Sequence, residues 1–272
     1  MDLKRLCEEI RFPSDAMPAM NRWLELDESV YQAYKRCFTR DRFSFFEEVK
    51  QQEGARQLLM YLFLRFAVDA YDEYKLRGIE DQVYWDTFSD LSIWCENCRR
   101  AHGEYGLEEY HWLQEHVQLR LFRLGRLQFQ PYAVDRELAV DGVKVLRGQI
   151  VLNVHIPEGE PLNLQGVRSS FEQATAFFRG VSPIFICHSW LLDPKLADLL
   201  PAGSNILAFQ QQFHILESDD RARQAEERVF GQVSDDPSVY VERTSLQRSL
   251  KAYLMGGGKL GSGFGIKIGK GA

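Results

Sequence analysis

The chain has 272 residues and a mass of 31.6 kDa, enough for one large domain or two of ordinary size. Its 45% hydrophobic and 26% charged residues match a globular protein and exclude disordered, collagenous and disulfide-scaffold classes. A net charge of −6 and a pI near 5.6 exclude the electrostatic footprint of a general nucleic-acid binder.

The acidity is uneven. Residues 1–125 hold 17 basic and 23 acidic side chains, whereas residues 126–272 hold 16 of each. The longest strongly apolar run, Leu58–Leu64, ends at Arg65, far short of the ~20 residues a helix needs to cross a bilayer. The charged start Met1-Asp2-Leu3-Lys4-Arg5 does not read as a signal peptide, and the five cysteines are unpaired by spacing. A reduced, cytoplasmic setting without membrane or nucleic-acid partners is expected.

Residues 1–125 read as helices. Short ones are expected near Asp27–Phe38 and Phe43–Gly54. From Gln57 to Arg77, Leu58, Leu62, Phe66 and Ala70 fall four apart, and Gly78 follows as a stop. Tyr84, Phe88, Leu91 and Trp94 give a helix over Val83–Arg99. Tyr110, Leu113, Val117, Leu121 and Leu124 give another from Leu107 to Leu124, ended by Gly125. No strand alternation shows before residue 126. The aromatics Tyr61, Phe63, Tyr71, Tyr74, Tyr84, Trp85 and Trp94 read as core, with a cleft wall or self-association as a homodimer left open.

The pattern changes after Gly125. Leu127 and Phe129 alternate with Arg126, Gln128 and Gln130, as in a half-buried strand. Asp141-Gly142 between Leu138–Val140 and Val143–Val145 is a hairpin signal, because such a turn needs positive φ at both positions. Ile150–Ile156 alternates as a strand closed by Pro157. A helix with Val167, Phe171, Ala174 and Phe178 on one face follows, then a strand Ile184–Cys187. This strand–helix–strand order implies parallel neighbours and a mixed sheet. Asp193-Pro194 starts a helix, Phe213–Leu216 is a short strand, and the charged run Asp219–Arg228 is a solvated helix or lid. Thr244 caps a helix with Leu246, Leu250 and Leu254. The stretch from Gly256 holds 8 of the 20 glycines and ends in an edge strand with Phe264, Ile266 and Ile268.

Several residues invite chemistry. Cys95-x-x-Cys98 is half of a zinc pattern whose other half is missing, so a buried and a surface cysteine are expected instead of a metal site. The terminal glycines fit neither the nucleoside-triphosphate loop nor the dinucleotide fingerprint. His155 near one strand end and His188 just after the other would share a sheet edge, where ligands of open α/β sheets bind; the bland alternative is two histidines satisfying loop backbones. Cys187 reads as a buried strand-end thiol, and Ser189 lacks a nucleophile-elbow setting.

Five strings occur in order: Val154-His155-Ile156-Pro157, Phe177-Phe178, Cys187-His188-Ser189-Trp190-Leu191-Leu192-Asp193-Pro194, Ser204-Asn205-Ile206 and Thr244-Ser245-Leu246-Gln247-Arg248. They resemble the bacterial acyltransferase-domain proteins that join a helical N-acyltransferase N-terminal domain to a GNAT-like C-terminal domain. Thr87-Phe88-Ser89-Asp90 and Trp94 look like the first of these. The resemblance implies an α+β protein: an all-helical domain over residues 1–125, then a GNAT-like mixed α/β sheet domain over residues 126–272. It implies an N-acetyltransferase-like activity with acetyl-CoA or another acyl-CoA as cosubstrate and a small-molecule amine acceptor. Coenzyme A would lie where strands Ile150–Ile156 and Ile184–Cys187 splay. The pyrophosphate would meet Asn163, Gln165, Gly166 and Val167 at the helix N-terminus, and an N–H near Ile156 would polarise the thioester. His155 or His188 would be the base, and Ser189 or Tyr253 the proton donor. The loop Glu158–Gly166 lacks the glycine pattern usual before that helix, and its two carboxylates would repel phosphate. Two other readings follow from that departure and from the nucleophile candidates: a catalytically silent GNAT-like protein that binds a ligand or a protein, and a hydrolase using Cys187 or Ser189.

Overall fold

The computed structural model describes residues 1–140 and 142–269. Two compact units emerge: Met1–Leu124 with Pro157–Gly159, and Gly125–Ile156 with the chain from Glu160 on.

The first unit is helical and is organised on Ala55–Leu76, a helix of 22 residues. Every residue from Leu58 to Leu64 is buried. The apolar run is therefore the core of this unit, buried around the whole helix circumference. Among the described residues no helix is long and apolar enough to cross a membrane. Phe38 from Glu28–Arg40 and Phe45 and Phe46 from Arg42–Lys50 pack edge-on, tilted or stacked against Phe63 and Phe66. Burial of each such ring contributes about 1.5–3 kcal/mol. Cys95 and Cys98 are both buried, with the Cys95 thiol 3.5 Å from Met60 Sδ.

Two helix expectations need correction. Val83–Arg99 is two helices, Asp81–Phe88 and Asp90–His102, separated at Ser89. The Ser89 hydroxyl donates to the Asp86 carbonyl at 2.6 Å, a local bond that competes with helix continuation. The helix expected over Leu107–Leu124 is confined to Tyr110–Val117. Leu119 takes φ +53°, which breaks it, and the next residues form strand β1, Phe122–Leu124. The Asp90 carboxylate is buried here and accepts from Trp112 Nε1 at 3.0 Å and from His116 Nε2 at 2.9 Å.

In the second unit the strands are β2 (Leu127–Ala133), β3 (Leu138–Val140), β4 (Val143–Val145), β5 (Ile150–His155), β6 (Ile184–Ser189), β7 (His214–Asp219) and β8 (Ser262–Ile268). The sheet is mixed and runs β2-β5-β6-β8-β7. Helix Leu164–Phe177 links the parallel pair β5 and β6. Strands β3 and β4 pair with Val140 opposite Val143, and Gly142 has φ +80°. Asp141, the other half of the expected turn, lies outside the described residues.

Helix Leu164–Phe177 covers one sheet face. Phe171 packs edge-on to Phe129 and Phe185, both residues of that face. The other face carries Val151, Ile184, Ile186 and Ile266 under Val134, Leu138 and Val145. Thr244 caps Ser245–Met255 as expected, and Gln247 makes the cap a reciprocal capping box.

Strand β8 is not the edge strand expected. It lies between β6 and β7, pairing antiparallel with both. Glycines within it and just before it are required by close approach. A Cβ on Gly263 would sit 2.1 Å from the Leu192 carbonyl oxygen, and one on Gly261 would sit 2.3 Å from that of Asp219. Gly263→Ala is accordingly expected to destabilise the protein by roughly 1–3 kcal/mol, the usual cost of forcing extra volume into a packed site, and to lower the melting temperature. An unchanged thermal midpoint would contradict this packing.

Candidate active site

The geometry that matters lies at the C-terminal ends of β5 and β6. Their parallel ladder pairs Leu152 with Phe185 and Asn153 with Ile186. Beyond this, β5 continues against β2 as far as His155, and β6 continues against β8 as far as Ser189. Each strand keeps its outer partner while the inner ladder stops. The two strands thus part where ligands of open sheets are held.

Strand alternation sorts the side chains. Val151, Asn153 and His155 share one face of β5 with Ile184, Ile186 and His188 of β6. The histidines therefore lie on the same face at the same end, opposite the helix face. His155 is half-buried and His188 exposed. His188 Nε2 lies 2.9 Å from the Ser262 hydroxyl of β8.

His188 does not follow the strand, as its expected end at Cys187 implied. The strand runs two residues further, so Cys187 and Ser189 face away from the histidines. Ser189 is buried, and its hydroxyl accepts from the Leu191 N–H at 3.2 Å, capping the short turn Trp190–Leu192. This removes it from the histidine pair. Tyr253 is not brought there either. It packs into a separate cluster with Leu196, Leu250, Leu254 and Leu260, and its ring lies beneath Gly258. Burial pushes the Cys187 thiol up to about 12, so it is protonated at neutral pH and no nucleophile. A hydrolase built on Cys187 or Ser189 has no geometry here.

The turn after β5 leads from Ile156 into the helix Leu164–Phe177. Asn163 is its N-cap, and the Asn163 Oδ1 accepts from the Gly166 N–H at 2.7 Å. Leu164 and Gln165 keep N–H groups that have no acceptor within the helix. Val167, expected against the pyrophosphate, is fully buried and its N–H donates to the Asn163 carbonyl at 3.1 Å, so it offers a ligand no donor. Glu158 forms an ion pair with Arg100 at 2.8 Å and accepts from Asn97 at 3.1 Å.

Two residues escaped sequence reasoning because strand alternation assigned them to solvent. Arg126 is buried and donates to the carbonyls of Glu160 at 2.7 Å and Pro161 at 3.1 Å, fixing the loop before the helix. Its Cβ would lie 3.6 Å from a Cβ on Gly166, so the cation stem lies against the helix start. Gln128 is also buried, directly opposite His155 in the β2–β5 ladder. Nothing in their local spacing distinguishes them from Gln130.

Against this geometry, residues 121–267 match the GNAT-like C-terminal domain and residues 1–119 match the N-acyltransferase N-terminal domain. The chain belongs to this two-domain N-acyltransferase family. Several solved structures share its fold. One is an acyltransferase in complex with decanoyl-CoA and teicoplanin, 24% identical, with a TM-score of 0.77 over 97% of this chain and 86% of that one. A second is an acyltransferase mutant in complex with octanoyl-CoA, 24% identical, with a TM-score of 0.78 over 97% and 87%. A third, in complex with decanoyl-CoA, is 23% identical with a TM-score of 0.68 over 98% and 99%. At this identity the likeness is one of fold. No curated protein matches the chain.

The N-cap gives a direct check on the helix start. Asn163→Ala should cost about 1 kcal/mol of stability by orphaning the Gly166 N–H, whereas Asn163→Gly should cost only a few tenths. Equal thermal midpoints for wild type and Asn163→Ala would show that this cap does not hold the helix.

Proposed function

We propose that the protein transfers an acyl group from acyl-CoA to an amine acceptor. The observation that carries this reading is the parting of β5 and β6 beyond Asn153 and Ile186, with two histidines beside the gap on one face and a helix N-terminus on the other. The relatives of the same fold held with decanoyl-CoA, octanoyl-CoA and teicoplanin support it.

The two sheet faces divide the work. On the helix face, the Leu164 and Gln165 N–H groups and the helix dipole suit the pyrophosphate, and Arg126 sets the approach loop. The pantetheine arm would thread the gap, bringing the thioester out on the histidine face near the Ile156 N–H. The acceptor amine then attacks the carbonyl carbon. A C–N bond forms and the carbonyl π pair moves to oxygen. The pair returns, the C–S bond breaks, and the amine proton passes to His155 or His188 and on to the leaving thiolate. The products are an amide and free coenzyme A. Ser262 engages one nitrogen of His188 and leaves Nδ1 for the proton.

The Asn163 cap favours a second reading, a silent scaffold, because it occupies one N–H a pyrophosphate would use. Calorimetric titration with coenzyme A and decanoyl-CoA separates the two. Saturable binding, followed by turnover in an amine screen, is expected. His155→Ala or His188→Ala should then lower turnover by about 10²–10⁴-fold with decanoyl-CoA affinity intact, the usual contribution of a general base. Full turnover in both variants would refute the assignment of the base, and no binding in folded protein would favour the scaffold.

A further inference from the structure

The histidine face changes character along its strands. Toward the N-terminal ends of β5 and β6 it is apolar, with Val151, Ile184 and Ile186. Toward their C-terminal ends it becomes a polar strip across four adjacent strands: Gln128 of β2, Asn153 and His155 of β5, His188 of β6 and Ser262 of β8. Gln128 is the most enclosed of these, with 1% of its surface exposed. Its Nε2 is sealed from solvent and has no hydrogen-bond partner among the described residues. Proteins rarely leave a buried amide donor unpaired, and a catalytic role is one of the few reasons for an exception.

The place of this donor is informative. Gln128 faces His155 directly across the β2–β5 ladder, so both side chains rise from the same sheet face. A glutamine side chain is long enough to cross one strand spacing of about 4.8 Å, so the far side of β5, where the gap lies, is within its reach. The gap is where the thioester would come out on this face. We infer that Gln128 is a catalytic residue of the acyl transfer proposed above, and that its side-chain amide donates a hydrogen bond to the thioester carbonyl oxygen of bound acyl-CoA. The inference rests on that reading. As the amine attacks and the carbonyl π pair moves to oxygen, negative charge develops on the atom that this N–H would meet. Once the packing over it gives way to the bound acyl group, a donor held away from water stabilises that charge more strongly than a solvated one. When the pair returns and the thiolate leaves, the amide keeps its proton and the bond relaxes.

Infrared difference spectroscopy tests this on the full chain, with decanoyl-CoA carrying ¹³C at its carbonyl. In wild type the bound carbonyl band should move to lower frequency than in free decanoyl-CoA. Gln128→Leu and Gln128→Met, which keep the bulk and remove the donor, should return part of that shift while binding decanoyl-CoA within about threefold of wild type. Their melting temperatures should equal or exceed that of wild type, because an apolar isostere relieves an unpaired buried amide. A merely structural glutamine would give the opposite pair of results: lower melting temperatures and an unmoved band, which overturns the inference. Decanoyl-CoA binding with the same carbonyl frequency in wild type and both variants also overturns it, and leaves the acyl-transfer reading standing. Failure of wild type to bind coenzyme A or decanoyl-CoA in the parallel titration overturns that reading and the inference together.

Discussion

The site depends on a ladder that stops while its neighbours go on. In a sheet, a strand that leaves one partner normally ends or meets solvent. Here β5 holds to β2 through His155 and β6 holds to β8 through Ser189, although their mutual pairing ceases at Asn153 and Ile186. Backbone N–H and C=O groups must be paired or solvated, so a gap between two firmly held strands is a place for a chain-like ligand with amides of its own. The proposed function puts the pantetheine arm of coenzyme A there. The gap has its shape because both outer ladders are secure, and the β8 glycines are part of that security. They let β8 lie against Leu192 and the chain after β7 without a side chain in the way.

Alternation then assigns the chemistry. A one-residue displacement along β6 exchanges faces, so the length of that strand decides whether His188 joins His155 or Cys187 does. Because β6 runs on to Ser189, the imidazoles share a face and the thiol is buried on the other. The nucleophile chemistry that the string Cys187-His188-Ser189 suggests is therefore separated by the sheet itself. What is left on the histidine face is suited to moving a proton, and what is left on the helix face is suited to an anion.

Much of this was legible in the sequence. The 3.6-residue period around Leu58–Phe66, the Thr244 capping signature and the strand–helix–strand order over residues 150–187 fixed their elements through local physics. The order of β5 and β6 as parallel neighbours followed from the helix between them. The failures have physical reasons as well. Leu119 adopts a left-handed conformation that no residue-type signal announces, so the apolar period continues past the true end of the helix. The place of β8 inside the sheet is a long-range pairing, and the glycines that permit it resembled a loop. Gln128 and Arg126 were lost because period-two alternation says which residues share a face, not whether that face is covered. Ser189 and Tyr253 were assigned by resemblance, and their side chains serve a turn and a separate hydrophobic cluster.

The account turns on whether the β5–β6 gap receives the acyl donor. Amide hydrogen exchange of the full chain, with and without saturating decanoyl-CoA, tests this most directly. Protection is expected at Val154–Ile156 and at Leu164–Gly166, flanking the gap and at the helix start, with the outer ladders of β2 and β8 unchanged. Protection confined to other segments, with these two stretches exchanging as in the free protein, would contradict it.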